Sequence, residues 1–151
     1  MIDRSQPPYI ETRHILQPFT PEIENLSNNT PCVFIQGPRE PIVKINLVFK
    51  AGGKYSKPYI AKLANALLAE GSQNFPGHLL AEELDKYGAF LFSSVNSDFA
   101  TLTIVTQVQY LTNVLPVFFD AAYSPKFNQE VFNAQCKRRH AALIEAYMQN
   151  G

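Results

Sequence analysis

The residues able to bind a metal, attack a substrate or move a proton are few in this 151-residue chain, and they stand far apart. His14, His78 and His140 are its three histidines. His14 and His78 have no histidine or cysteine one helical turn away, and His140 has Cys136 alone at that spacing, which makes at most two ligands where a metal needs more. A metal site made from them is not expected. Cys32 and Cys136, the two cysteines, make neither a disulfide framework nor a metal cluster and read as reduced, packed thiols. Glu82, Glu83 and Asp85 form an acidic patch at helical spacing that reads as a solvated face. Lys137-Arg138-Arg139 is a short basic run, read as solvated, with contact to an acidic partner surface as the alternative. Ala51-Gly52-Gly53-Lys54 lacks the spacing of a phosphate-cradling loop, and no Gly-x-Ser-x-Gly nucleophile elbow occurs.

The elements that must position these side chains alternate between two periodicities. Residues 1–31 hold five of the eleven prolines and read as an extended arm. Cys32–Gln36 is a short apolar strand. Ile42–Lys50 alternates, with Val43, Ile45, Leu47 and Phe49 on one face and Lys44 and Asn46 on the other. Lys57-Pro58 opens a helix whose Ile60, Leu63, Ala64, Leu67 and Leu68 make one apolar stripe, stopped at Gly71. Leu79–Tyr87 is a shorter helix closed by Gly88. Ala89–Val95 and Phe99–Val108 are strands joined by the turn residues Asn96-Ser97-Asp98, with Leu102, Ile104 and Thr106 on one face of the second. Leu111–Tyr123 is helical despite Pro116, and Asn128 caps a final helix that begins near Gln129 and runs to the end, so the chain is expected to be truncated at its C-terminus. The order predicts an α+β fold: a mostly antiparallel sheet with helices packed on one face, formed by residues 32–151 after the arm.

Composition narrows the partners. Hydrophobic residues make up 46% of the chain, with seven tyrosines and eleven phenylalanines, a folded composition with a sizeable core. Thirteen basic residues balance thirteen acidic ones, which gives no electrostatic reason to expect nucleic acid or an anionic membrane. No apolar run reaches the roughly 18 residues of a membrane-crossing helix, and the polar N-terminus lacks the apolar core of a secretory signal, so a cytoplasmic location is expected.

Four stretches, in order, resemble the insulinase/pitrilysin-type zinc peptidases: INLVFKAGGKY, the helix ending ALLAEGS, HLLAEELDKYGAFLFSSVNSDFATLTI, and Phe132–Met148. Together they span about residues 23–149. The resemblance implies most of one α+β unit of the LuxS/processing-peptidase-like metallohydrolase type, of which the family has two or more copies that clamp around a peptide. In active members the first helix carries His-x-x-Glu-His. Here the matching positions hold Lys62, Leu63, Ala64, Asn65 and Ala66. Catalytic zinc needs three protein ligands and an open position for water. Lys62 offers a cation, Ala66 offers nothing, and Asn65 cannot serve as a general base. No histidine lies between Tyr59 and Gly77, so a slipped register does not restore the motif. Glu145 matches the family's third-ligand position and could pair with Lys62 where the metal would sit, or stand solvated.

The resemblance also implies a peptide-binding edge strand after Gly88-Ala89, here Phe92, Ser93, Ser94 and Val95, with Phe92-Ser93 replacing the family's Asn-Ala. Backbone pairing needs no particular side chain, so peptide addition could outlast catalysis. The leading expectation is therefore a non-catalytic helper subunit that completes the substrate chamber of a zinc-bearing homologue. No cofactor is expected in this chain, zinc only in the partner, and peptide or unfolded protein as substrate. A peptide-binding or scaffold subunit without a protease role is the alternative, and a peptidase active through a zinc motif in a downstream unit is the third.

Overall fold

In a computed structural model of the chain, described over residues 19–37, 40–57 and 59–149, the chain divides into two compact units, Met1–Glu40 and Pro41–Gly151. The first contains a hairpin. β1 (Glu22–Asn25) pairs antiparallel with β2 (Pro31–Phe34), Glu22 opposite Phe34 and Asn25 opposite Pro31. Asn29 adopts the left-handed conformation that asparagine tolerates, and Asn28 Oδ1 accepts from the Thr30 amide at 3.0 Å. This corrects the reading of residues 1–31 as an arm and of the first strand as Cys32–Gln36. Residues 22–25 are a strand, and they take the following strand as their own partner. The rest of the arm, residues 1–18, lies outside the described residues.

The second unit is a three-stranded antiparallel sheet in the order β3-β5-β4, where β3 is Ile42–Phe49, β4 Phe90–Val95 and β5 Ala100–Gln107. The period-two pattern places Val43, Ile45, Leu47 and Phe49 toward the inner face of β3, as the alternation predicts. On β5, Ala100, Leu102, Ile104 and Thr106 are all buried. Three further helices cover that face: α2 (His78–Asp85) and α3 (Leu111–Tyr123) supply Leu80, Leu84, Val114, Val117, Phe118 and Ala121 to the core, and α1 (Ile60–Leu67) lies over β4 and β5. A long α4 (Gln129–Gln149) follows, its first turn held by the Asn128 side chain, which accepts from the Glu130 amide at 2.7 Å. The α+β architecture with helices on one sheet face is thus realised.

Two short-range features set where α1 begins and how it sits. The helix starts at Ile60, after Tyr59 in the left-handed region, instead of at Lys57-Pro58; Ser56 Oγ accepts from the Ala61 amide at 3.3 Å in place of a cap. Its inward face is also rotated from the predicted stripe. Ile60 is 50% exposed and Ala64 is exposed, whereas Asn65 is 4% exposed beside buried Leu67. Upstream, residues 52–54 hang on the β4–β5 turn: the amides of Gly52, Gly53 and Lys54 donate to the carbonyls of Asp98, Asn96 and Ser97 at 3.2, 2.9 and 3.0 Å. Gly52 is required there, because a Cβ would fall on the backbone of Ser97, Asp98 and Phe99.

Candidate functional site

Asn65 is buried because it has work for its amide. Its Nδ2 donates to Ser94 O at 2.9 Å and to Thr101 O at 3.1 Å, two residues that face each other across β4 and β5. One side chain thereby ties α1 to both strands. Nδ2 has two donors and an amide oxygen has none, so the amide's orientation follows from the two carbonyls it serves. Asn65 Oδ1, on the other side, is buried and finds no donor among the described residues.

Lys62 precedes Asn65 by one turn and opens toward α4. Arg139 on α4 donates from Nη2 to the Lys62 carbonyl at 3.2 Å, and the Arg139 Nε–H is buried without an acceptor. Lys62, Asn65, Ser93, Ser94, Val95 and Arg139 together line a cleft of about 170 Å³. A second, apolar cavity of about 280 Å³ lies on the other side of Asn65, walled by residues that include Phe49, Ala61, Ala64, Leu68, Ala122 and Phe127.

The residues matched to the zinc motif therefore do come together, but with different partners from those expected. Ala66 is half-buried and brings no ligand atom. Glu145 is exposed and lines neither cavity, and the ion pairs among the described residues are Lys54–Asp98, His78–Glu82 and Lys86–Glu83. Lys62 and Glu145 are not paired. The residue that α4 brings to Lys62 is Arg139, six positions earlier, which along a helix is about 9 Å. Lys62 and Arg139 are both cations, Asn65 turns its nitrogen to two carbonyls, and no three His, Cys, Asp or Glu side chains gather among the described residues. This set does not fit zinc.

The basic run is also divided. Lys137 and Arg138 are exposed as read, whereas Arg139 turns inward, which the reading as a solvated face missed. Arg139 shares its helix face with Gln135, one turn earlier, which is buried and donates to Glu70; the polar character of both residues gave no sign of this in the sequence. The acidic patch on α2 behaves as a solvated face, with Glu82 and Glu83 engaged by His78 and Lys86 of their own helix and turn. His140 is exposed, His14 lies outside the described residues, and Cys32 and Cys136 are free thiols.

The strand Phe92, Ser93, Ser94 and Val95 lies in β4, which pairs with β5 alone and so forms a sheet edge among the described residues. Ser93, Ser94 and Val95 line the polar cleft. Phe92 points to the opposite face, 54% exposed, its ring stacked on Phe90 at 6.4 Å.

A sequence profile of the insulinase family, peptidase family M16, matches residues 32–150. The chain belongs to the insulinase family. Among solved structures, this insulinase-family chain is similar to a peptidase M16 inactive domain from Pseudomonas fluorescens, with a TM-score of 0.74 at 21% identity over 85% of this chain and 32% of that one. It is also similar to a protease from Helicobacter pylori, with a TM-score of 0.65 at 17% identity over 75% of this chain and 28% of that one. At these identities the likeness establishes the fold, and the chain spans about a third of either neighbour's length. No curated protein matches it. No helix among its described residues is long and apolar enough to cross a membrane.

Proposed function

We propose that the protein is a non-catalytic insulinase-family homologue that works in the cytoplasm as one half of a heterodimer. It completes the substrate chamber of a zinc-bearing homologue and holds extended peptide along β4. The observation that carries this reading is the pair of cations, Lys62 and Arg139, at a cleft whose counterpart in active relatives must attract a divalent metal. Like charge repels the metal, and the base position is occupied by an amide that cannot accept a proton at neutral pH. The similarity to an M16 domain described as inactive supports the same reading. The edge position of β4 supports a retained peptide-binding role, since an unpaired strand edge is the element that an added strand requires.

The test is to isolate the native protein from its cells and determine what accompanies it. A stoichiometric homologue bearing His-x-x-Glu-His, with zinc and peptidase activity only in the complex, is the expected result. Zinc and peptidase activity in the purified protein alone would overturn the proposal. A lone, zinc-free and inactive protein would transfer the assignment to a scaffold role.

A further inference from the structure

The cleft between α1, β4 and α4 is charged on one side only. Lys62 and Arg139 line it together with Ser93 and Ser94 of β4, and no aspartate or glutamate is among its described lining residues. Neither cation takes part in an ion pair among the described residues. Two cations in a cleft of about 170 Å³ repel each other until an anion joins them. Arg139 is held in place by its Nη2 contact to the Lys62 carbonyl, which fixes a planar cation at the cleft. The occupant that answers two cations beside a strand carries a carboxylate on a chain able to lie along that strand; an extended peptide does both, and β4 beside the cleft pairs with β5 alone among the described residues.

We propose that this cleft is a carboxylate subsite. The peptide held on β4 places a carboxylate, from an acidic side chain or from its own C-terminus, between Lys62 and Arg139. This rests on the reading of β4 as a peptide-binding edge. In place of a metal that hydrolyses peptide, the site has a cationic hold that selects acidic peptide.

An array of random-sequence peptides, each made with a free and with an amidated C-terminus, is probed with the intact protein. Binders are then remade with glutamine or asparagine for each acid. Binders sharing an acid at one position, and weakened about tenfold by its amide, support the side-chain form; binders that need the free terminus support the C-terminal form. In either case Lys62→Gln and Arg139→Gln erase the difference between acid and amide peptides while the amide peptides bind as before. Unchanged binding of the amide peptides shows that each variant is folded, and a variant that binds neither form is replaced by Lys62→Met or Arg139→Lys. Binders indifferent to acid at every position overturn the subsite and leave β4 as an edge. An array with no binders overturns both.

Discussion

At the scale of single residues, Asn65 is the position where a buried amide ties a helix to two strands. An acid there would present oxygen to two carbonyl oxygens, whereas the amide nitrogen satisfies both. Asn65→Asp should therefore destabilise the protein more than Asn65→Ala does, although aspartate is the closer match in shape. Alanine removes two partly buried hydrogen bonds, at about 1–3 kcal/mol; aspartate adds acceptor–acceptor repulsion to that loss. Chemical denaturation of the three proteins ranks them, and an aspartate variant as stable as the parent would show that the clamp carries no weight. The nitrogen's two bonds hold α1 to its strands.

At the scale of elements, the sheet edge and the loop that braces it make separate predictions. Residues 52–54 dock by three amides on the β4–β5 turn, with the Lys54–Asp98 ion pair beside them. Gly52→Ala forces a methyl into the backbone of that turn, with an expected cost of about 1–3 kcal/mol from overpacking, seen as a lower melting temperature. If β4 takes peptide by strand addition, N-methylating alternate residues of a bound peptide abolishes binding on one register and spares it on the other. Equal tolerance of methylation on both registers would show that side chains, not backbone, hold the peptide. For the helix, the predicted stripe and the observed inner face of α1 differ by a rotation, because two carbonyls outweigh the exposure of Ile60 and turn a polar residue inward.

At the scale of the whole molecule, stability rests on the layer between the sheet and its helices. Phe118 is fully buried at the centre of that layer, and Phe118→Ala should cost about 3–5 kcal/mol in unfolding free energy. A metal that bound the native state would raise the melting temperature in proportion to its occupancy. Added zinc should leave the melting temperature of the isolated protein unchanged, because Lys62 and Arg139 flank the site where it would have to enter. A rise that saturates with zinc and disappears in a chelator would contradict this.

What the sequence determined by itself was local or periodic. The alternation of β3 and β5, the turn at Asn96-Ser97-Asp98, the Asn128 cap and the order of elements from β3 onward are written in patterns spanning a few residues, and the absence of histidine between Tyr59 and Gly77 is a matter of residue identity. What only the tertiary structure decided were pairings between distant segments. Residues 22–25 (EIEN) carry little strand propensity and read as part of an arm, and their strand shows only in its pairing with β2. Charge marks Arg139 as polar, but which residue of α4 faces Lys62 depends on how two helices meet, and a six-residue difference along α4 separates this cation from the acid at Glu145. That difference sets the sign of the site, because attraction or repulsion of a ligand depends on which charges the fold brings within a few ångströms of one another.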